Sequence, residues 1–450
     1  MKNILVLGAG RSSPYLIDRL LRMAEARDWR VTVGDVDPEV AEARIAGHPR
    51  GTAMRFDVND EAIRSGAIEA ADVVINMLAP GFQDLVAWDC VAHGRHMVSV
   101  SYRDRAVRDL DRDARRKGIL LLCEMGLDPG IDHMSAMSVI ERVRAEGGRI
   151  TAFRSYGSGV PAPDQEQNPL RYVITWNPRN VVMASEHGAQ YMEAGRIKLV
   201  PWHHVFHHTW PVDVAGVGRF EAYPNRDSLA YMKLFGLDDV RTMIRGTLRY
   251  PGWSETWAQI VRLGLPNENL RIPDLCRRSY RDVTEMFLPM SGVRGRTEER
   301  LARFLHISPT GRIMENLTWL GLFSDEPIGC AGDTPAAMLI HLLKKRLPLL
   351  PGMRDLVILL HELDIEYDGA RPPERVRSSL VATGDADGFT AMARTVGLPV
   401  AVATRLILDG ELELAGSRIP TQPSVYAPVL GEIAREGLVF SESVEPLTRP

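Results

Sequence analysis

Along the first 125 residues, short apolar runs alternate with segments whose apolar positions recur at helical spacing. The first run, 4–7, is fully apolar, which is typical of a strand that helices cover on both faces of a parallel sheet. Six such strands are predicted, at 4–7, 30–34, 53–56, 73–77, 96–100 and 119–122. The alternation of strands and helices predicts a doubly wound, mostly parallel α/β sheet of the Rossmann type.

Beyond residue 133 the pattern changes to that of a mixed α/β region. Strands are predicted at 150–156, 171–176, 355–360 and 376–382, with a weaker one at 220–223 and no firm element over 177–219. Helical spacing dominates 251–325, and an apolar helix covers 391–410. The predicted domains are a Rossmann domain at 1–125 completed by about 390–450, a mixed α/β substrate domain at 126–250 and 326–389, and a small all-helical insertion at 251–325.

A glycine-rich segment, Gly8-Ala9-Gly10-Arg11-Ser12-Ser13, joins the first strand to the first helix. Gly8 permits a tight turn, Gly10 lets backbone N–H groups approach a pyrophosphate, and Ser13 stands where a third glycine is usual. Asp35 ends the next strand, where a carboxylate accepts hydrogen bonds from ribose hydroxyls and repels a 2′-phosphate. NAD is therefore predicted. NADP is the alternative, because the guanidinium of Arg11 could bind a 2′-phosphate. The alternative is a turn that binds no phosphate.

Cofactor-binding residues are predicted at the strand ends and in the turn after the sixth strand. They are Gly8, Ala9, Gly10, Arg11, Ser12, Ser13, Asp35, Asp57, Val58, Asn76, Met77, Leu78, Ser99, Val100, Met125, Gly126, Leu127, Asp128, Pro129, Gly130, Ile131 and Asp132. For Asn76 and Ser101, ordinary capping is the alternative role.

Residues 126–133, Gly-Leu-Asp-Pro-Gly-Ile-Asp-His, are predicted to form a stiff turn between a strand and a helix. Glycine lets the backbone approach a bound group, and a helix start presents free N–H donors. Two carboxylates and an imidazole crowd into this turn, which favours a functional role. The alternative is a capped connection with Asp132 as the N-cap.

Two segments of the second half are dense in polar groups, 223–228 and the predicted loop 245–250. Arginine binds carboxylates bidentately, so Arg226, Arg245 and Arg249 suit a small substrate with several carboxylates. Surface or interdomain ion pairs are the alternative. The paired histidines at 203–204 and 207–208 lack adjoining cysteines or carboxylates, so no metal site is predicted.

Composition narrows the classes of function. The chain has 450 residues, 45% of them hydrophobic, and a net charge of −4, which gives no basic footprint for nucleic acid or an anionic membrane. Four separated cysteines indicate reduced thiols rather than a disulfide or zinc framework. The chain enters a strand directly after its first residues, and no apolar run approaches ~20 residues. A soluble cytoplasmic protein is expected, and a homodimer is left open.

Several segments in order resemble saccharopine dehydrogenase of the glutamate-forming type, over nearly the whole chain. The landmarks are 126–133, Pro-Ala-Pro at 161–163, Asn-Pro-Leu-Arg-Tyr at 168–172, Tyr-Pro-Asn-Arg-Asp-Ser at 223–228, Arg-Gly-Thr-Leu-Arg-Tyr at 245–250, Trp-Leu-Gly-Leu-Phe-Ser-Asp at 319–325 and Ala-Arg-Thr-Val-Gly-Leu-Pro at 393–399. One departure is Gly157, where the family usually has a cysteine that would lie beside the substrate.

The resemblance implies an oxidoreductase of lysine metabolism that acts on a CH–NH group. It oxidises the secondary amine of saccharopine with NAD(P) and releases glutamate and 2-aminoadipate 6-semialdehyde. Asp128, Tyr102 and His133 are the catalytic candidates for the proton steps, and a capping or supporting role is the alternative for each. Substrate binding is expected at Ser101, Tyr102, Asp128, Arg226, Arg245, Gly246 and Thr247.

Two other hypotheses are kept open. Because of the departure at Gly157, a related dehydrogenase could act on another carboxylate-bearing secondary amine, such as a carboxylated polyamine precursor. A non-catalytic NAD-binding sensor of redox state is the other hypothesis, but it would leave Arg226 and 245–250 without a substrate to hold.

Overall fold

The structure, a computed structural model, describes residues 1–165, 168–290, 295–329 and 332–447. Its strands are β1 (Lys2–Leu7), β2 (Trp29–Asp35), β3 (Gly51–Arg55), β4 (Val73–Asn76), β5 (His96–Ser99), β6 (Leu120–Leu122), β7 (Gly148–Pro161), β8 (Ala189–Glu193), β9 (Arg196–Val200), β10 (Trp210–Val214), β11 (Gly218–Pro224), β12 (Thr242–Arg249), β13 (Asp355–Tyr367), β14 (Glu374–Thr383), β15 (Gly416–Arg418) and β16 (Ser441–Pro446).

The helices are α1 (Pro14–Arg27), α2 (Pro38–Ile45), α3 (Glu61–Glu69), α4 (Gln83–His93), α5 (Arg105–Asp109), α6 (Asp111–Arg116), α7 (Ile131–Ala145), α8 (Pro178–Met183), α9 (Ala230–Leu234), α10 (Trp253–Leu263), α11 (Tyr280–Met286), α12 (Thr297–Leu305), α13 (Arg312–Leu320), α14 (Pro335–Arg346), α15 (Ala391–Leu408) and α16 (Pro423–Arg435). Short 3-10 turns lie at Pro80–Phe82, Ala184–Glu186, Trp202–His207 and Leu275–Arg277.

The chain forms two compact units, residues 1–150 with 357–450 and residues 151–356. These boundaries differ from the predicted ones at 125 and 390, because α7, β13 and β14 belong to the first unit. The helices α10 to α13, predicted as a separate insertion, belong to the second unit. The assignment of three domains stays a prediction.

The first unit is built on a parallel sheet with the strand order β15-β6-β5-β4-β1-β2-β3. Each neighbouring pair in this order is parallel. The order reverses at β1, between β2 and β4, which is where ligands bind in sheets of this kind. The predicted Rossmann-type α/β fold is therefore confirmed.

Helix α15 packs against α1 at a close approach of their backbones. A Cβ added at Gly397 would lie 2.7 Å from the backbone nitrogen of Leu16, so only glycine fits there. By length and composition alone α15 could cross a membrane, but 72% of its apolar window is buried inside the protein. Its apolar face therefore serves the packing of the first unit.

In the second unit, β12 lies between a parallel and an antiparallel neighbour. It pairs with β7 in parallel and with β11 in antiparallel register, and β10 continues beyond β11. The strand β8 also pairs with β12, and β9 pairs with β8. This mixed sheet confirms the predicted mixed α/β architecture. The strands β13, β14 and β16 follow one another as neighbours in the first unit.

Two local predictions are wrong. The segment 171–176 is not a strand, because Arg171 adopts a left-handed conformation with φ 47° and only Ile174 makes a bridge, to Pro348. Tyr172, Val173 and Ile174 are buried apolar residues outside a strand. The sequence pattern alone could not distinguish this burial from strand pairing. The segment 245–250 was predicted as a loop, but most of it lies in β12.

The cysteines partly follow the prediction. Cys90 and Cys123 are buried free thiols, and burial raises the pKa of both well above its usual value. Cys276 is disulfide-bonded, which corrects the prediction that all four are reduced. Cys330 lies outside the described residues.

Candidate functional site

The glycine-rich segment lies at the carboxyl end of β1. Gly8 has φ +101°, and a Cβ there would lie 3.2 Å from the carbonyl oxygen of Met77, so the turn needs glycine. Ser13 is buried, and its hydroxyl donates to the carbonyl of Gly10 over 2.9 Å. Its side chain therefore does not cap α1, and the start of that helix keeps N–H donors for an anion.

Asp35 holds this segment through its carboxylate. One oxygen accepts from the backbone nitrogen of Ala9 over 2.8 Å, and the other accepts from the nitrogen of Asp37 over 3.1 Å. Both oxygens therefore already have backbone partners. Asp35 shapes the turn, whether or not it also meets a ribose.

Two arginines come together beside the same turn. The Arg44 Nε donates to the carbonyl oxygen of Ala9 over 3.3 Å. Its pKa is lowered by partial burial and by the charge of Arg11. Arg44 forms no ion pair with a carboxylate of the described residues. A pair of guanidinium groups that repel each other next to Ala9 is suited to bind an anion.

Asn76 ends β4 at the same edge of the sheet and is fully buried. Its Oδ1 accepts from the nitrogen of Leu78 over 3.2 Å, which is the predicted capping alternative. Its Nδ2, however, is buried and lacks a hydrogen-bond partner in the described structure. Such a donor is costly unless a ligand satisfies it, so this orphaned amide fits a bound dinucleotide.

The remaining predicted cofactor residues divide by exposure. Arg11 and Asp57 are exposed, and Asp57 accepts from the backbone of Asn59 as a turn residue. Ser12, Met77, Leu78, Val100 and Asp128 are partly buried, whereas Ala9, Val58, Ser99, Met125, Gly126, Leu127, Pro129, Gly130, Ile131 and Asp132 are buried.

Tyr102 and Asp128 face each other at the ends of β5 and β6. The Tyr102 hydroxyl donates to Asp128 Oδ1 over 3.2 Å. Buried Gln83 fixes the start of this arrangement, because its Nε2 donates to the carbonyl of Tyr102 over 2.8 Å and its Oε1 accepts from Ser99 Oγ. A partly buried carboxylate that accepts a hydrogen bond from a hydroxyl can take up a proton and pass it on.

The turn that carries Asp128 closes on itself. The nitrogen of Gly126 donates to the carbonyl of Pro129, and that of Ile131 donates to the carbonyl of Gly126, each over 2.9 Å. A Cβ at Gly130 would lie 2.0 Å from the carbonyl oxygen of Gly126, so a side chain there would break the turn. The peptide bond between Asp128 and Pro129 is cis. Gly130 precedes α7, and Asp132 lies in its first turn, so Asp132 is not the N-cap.

A buried network supports that turn. His133 Nε2 lies 2.8 Å from Glu124 Oε2, and its Nδ1 lies 3.0 Å from Asp132 Oδ2. His133 is 1% exposed and Glu124 is 5% exposed. Burial lowers the pKa of His133, but the two carboxylates outweigh it and raise the pKa to about 9. The imidazole therefore carries a charge at neutral pH.

The two carboxylates extend this network to both loops of the site. Glu124 Oε1 accepts from the nitrogen of Arg103 over 2.9 Å, next to Tyr102. Asp132 Oδ1 accepts from the nitrogen of Gly130 over 2.6 Å, two residues from Asp128. His133 is thus placed to hold the loops of Tyr102 and Asp128. Its burial argues for support rather than for the direct catalytic contact predicted from sequence.

In the second unit, Arg245, Thr247 and Arg249 share one face of β12, because side chains alternate along a strand. The Arg245 guanidinium is buried and lies 4.2 Å from the ring centre of Tyr231. Thr247 pairs in register with Gly157 on one side and Tyr223 on the other. The departure at Gly157 therefore lies directly beside a predicted substrate residue.

Two other predicted features of the second unit are exposed. Arg226 has φ 52° and borders a cavity of about 590 Å³ with His187 and Asp227. The histidines 203–208 lie mainly on the exposed 3-10 turn that begins at Trp202. In the part of the chain that the structure describes, no three His, Cys, Asp or Glu side chains form a group able to hold a metal.

Sequence interpretation missed Glu124, Gln83 and Arg44. Glu124 lies within the turn region, and a carboxylate directly after a buried strand was the available signal. Gln83 and Arg44 gave no signal, because each reaches its partner across the fold from a separate helix.

Comparison with known proteins adds independent findings. Residues 4–122 match the family model described as saccharopine dehydrogenase NADP binding domain, and residues 126–438 match the saccharopine dehydrogenase C-terminal domain. The chain is 31% identical to saccharopine dehydrogenase [NADP(+), L-glutamate-forming] of Schizosaccharomyces pombe, over 99% of both chains.

Two further proteins are similar. The mitochondrial alpha-aminoadipic semialdehyde synthase of Bos taurus is 32% identical, over 98% of this chain and 47% of that protein. The solved structure of apo saccharopine dehydrogenase (L-Glu forming) from Saccharomyces cerevisiae superposes with a TM-score of 0.86 at 30% identity, over 99% of this chain and 100% of that chain.

Proposed function

The chain belongs to the saccharopine dehydrogenase family, and from that premise we propose that it oxidises saccharopine with NADP and releases L-glutamate and 2-aminoadipate 6-semialdehyde. Family membership makes it an oxidoreductase of lysine metabolism that uses a nicotinamide cofactor. The observation that best supports the specific reaction is the contact of the Tyr102 hydroxyl with the Asp128 carboxylate at the carboxyl edge of the parallel sheet.

The chemistry needs a base in the first unit. A secondary amine is protonated at neutral pH, and its nitrogen must lose that proton before the neighbouring C–H bond can break. The bound nicotinamide would supply the acceptor for the hydride. Asp128 is proposed to take the proton, with the Tyr102 hydroxyl orienting its carboxylate.

The second step is hydrolysis. Loss of the proton and the hydride leaves a C=N bond, and water adds to its carbon. The C–N bond then breaks, so the nitrogen leaves with glutamate and the carbon becomes the aldehyde. Asp128 is proposed to release the amine proton to solvent, to accept a proton from this water, and to pass that proton to the nitrogen as the C–N bond breaks.

The three carboxylates of saccharopine need cations. Arg226, Arg245 and the Thr247 hydroxyl are proposed to bind them, together with the backbone of Gly246. Ser101 is proposed to lie at the substrate as well, since it is next to Tyr102 and its nitrogen is fixed by the hydroxyl of Ser99 over 3.2 Å.

The proposed preference for NADP replaces the preference for NAD that Asp35 suggested. Both carboxylate oxygens of Asp35 hold backbone N–H groups, so this side chain is accounted for by the turn itself. Arg44 and Arg11 lie beside that turn, and they would bind a 2′-phosphate. The Schizosaccharomyces pombe relative and a Saccharomyces cerevisiae relative, 32% identical, are both named as NADP enzymes.

A substrate panel tests the proposed reaction. Purified protein is expected to reduce NADP when saccharopine is added, and to give little reduction with carboxylated polyamine precursors. The rate is followed by absorbance of the reduced cofactor. Reduction with a polyamine precursor but not with saccharopine would move the chain to the alternative substrate class.

The variant R44A tests the cofactor. We expect the ratio of kcat/KM for NADP to that for NAD to fall about 10- to 100-fold, because one charge-assisted pair to phosphate is lost. The NAD value should change little. R22A is the matched control, since Arg22 is an exposed residue of α1 that pairs with Asp18. An unchanged ratio in R44A would remove Arg44 from the phosphate site.

A further inference from the structure

Arg249, the last residue of β12, lies in a cage of three aromatic rings. Its guanidinium carbon is 4.9 Å from the ring centre of Tyr172, 5.1 Å from that of Trp253 and 5.9 Å from that of Tyr223. The rings of Tyr223 and Trp253 are stacked on each other. We call these three residues the aromatic cage. All of them belong to the second unit.

The charge of Arg249 is buried without a counter-ion among the described residues. The residue is 5% exposed. Its Nη1 donates to the carbonyl of Leu248 over 2.9 Å, but its buried Nε lacks a hydrogen-bond partner. A guanidinium has five N–H donors, and one of them meets an acceptor in the described structure.

Such an arrangement is costly unless something else binds there. Cation–π contacts contribute about 0.5–2 kcal/mol each, but they neutralise no charge and accept none of the in-plane N–H donors. An uncompensated buried charge costs several kcal/mol. Buried Arg64, by contrast, forms an ion pair with Asp89 at 2.8 Å.

We propose that Arg249 and the aromatic cage form a binding site for a carboxylate group of the ligand. The rings pack around the guanidinium and leave its Nε without an acceptor. The paired N–H donors of a guanidinium match the two oxygens of a carboxylate. Because the rings exclude water, this charge-assisted pair is stronger than one at the surface.

The position on β12 fits a ligand with carboxylates at both ends. Arg249 shares a strand face with Arg245 and Thr247, and its Cα lies about 13 Å from that of Arg245 at a rise of ~3.3 Å per residue. Saccharopine carries carboxylates at both of its ends, and two long arginine side chains can reach toward it. The identity of this ligand rests on the proposed function, whereas the carboxylate site itself does not.

The variants R249Q and R249K test the site. With saccharopine as the substrate, we expect R249Q to raise KM at least tenfold while kcat stays within threefold. R249K keeps the positive charge but loses the paired N–H donors of the guanidinium, so its KM should rise three- to tenfold. R219Q is the control, because Arg219 is an exposed arginine of β11 that pairs with Asp213.

A binding measurement without turnover separates this proposal from the proposed function. Saturating glutarate should raise the melting temperature of the wild-type protein by ~2 °C or more, and that of R249Q by less than half as much. Inorganic phosphate should have no comparable effect. These shifts in melting temperature test the carboxylate site at Arg249 even if the protein does not oxidise saccharopine.

Three results would overturn the site. These are KM values of R249Q and R249K within twofold of wild type, an equal glutarate shift in R249Q and wild type, or stabilisation by phosphate in place of glutarate. If R249Q does not fold, R249K decides alone, with its melting temperature as proof of folding.

Discussion

Replacing Asp128 by asparagine is expected to lower kcat for saccharopine oxidation by about 10²- to 10⁴-fold. The amide oxygen can still accept the hydrogen bond of the Tyr102 hydroxyl, which spans 3.2 Å in the wild type. The amide cannot accept a proton, so the substrate amine stays charged and its C–H bond does not transfer hydride. The structure should change little, since Asp128 is only partly buried.

Stopped-flow or steady-state absorbance of the reduced cofactor measures this loss. Binding of NADP, followed by fluorescence of the protein, should stay within threefold of wild type. D113N is the control, because Asp113 is a partly exposed residue of α6 that pairs with Arg116. A D128N enzyme with kcat within threefold of wild type would remove Asp128 as the base.

The second large effect is expected at His133. The variant H133Q leaves Glu124 and Asp132 buried without the cation between them. Removal of one partner from a buried ionic group typically costs about 3–5 kcal/mol of unfolding free energy. Since Glu124 and Asp132 hold Arg103 and Gly130, kcat should fall as well.

The pH dependence of stability identifies this network. The folded pKa of His133, about 9, lies above its ordinary value of 6.5. Its stabilising effect is therefore complete below pH 6.5 and is lost as pH rises through about 9, with a total on the order of 3 kcal/mol. Urea unfolding of the wild type should show this decrease between pH 6.5 and 9, and H133Q should lack it.

The control for this measurement is H93Q, since His93 ends α4 and its Nε2 lies 2.8 Å from the hydroxyl of Ser65 rather than beside a carboxylate. That variant should keep the wild-type slope with pH. A wild-type stability that is constant between pH 6.5 and 9, together with an H133Q variant within 1 kcal/mol of it, would contradict a charged His133.

Much of the fold could be predicted because its strands have a simple signature. Ile4 to Leu7 and Val73 to Ile75 are continuously apolar, which is typical of strands covered on both faces. The turn at 126–133 could also be placed, since glycine and proline restrict the backbone locally. The parallel sheet, β13, β14 and α15 were found in this way.

The errors have a common physical cause. The middle of 171–176 is apolar and buried, but the left-handed conformation of Arg171 prevents an extended strand there. Burial and strand pairing produce the same pattern over so few residues. The helices and strands of 177–219 were not predicted, because the strands there are short and partly exposed and so lack a continuous apolar run.

The site was predicted less completely, because its contacts join distant parts of the chain. Asp35 suggested a ribose contact, yet its oxygens hold Ala9 and Asp37, a local arrangement that spacing cannot reveal. Arg44 reaches the same turn from α2, 35 residues beyond Ala9. Whether His133 reacts directly or supports the site depends on its partners. The sequence marked Glu124 only as a carboxylate after a buried strand and did not show its contact with His133.

Transfer of deuterium tests the proposed reaction most directly. Saccharopine labelled with two deuterium atoms on the lysine-derived carbon bonded to nitrogen should give deuterated NADPH, glutamate without label and an aldehyde that keeps one deuterium. Mass spectrometry of the three products decides the outcome. Unlabelled NADPH with free lysine as a product would show cleavage on the other side of the nitrogen, and would contradict a glutamate-forming dehydrogenase.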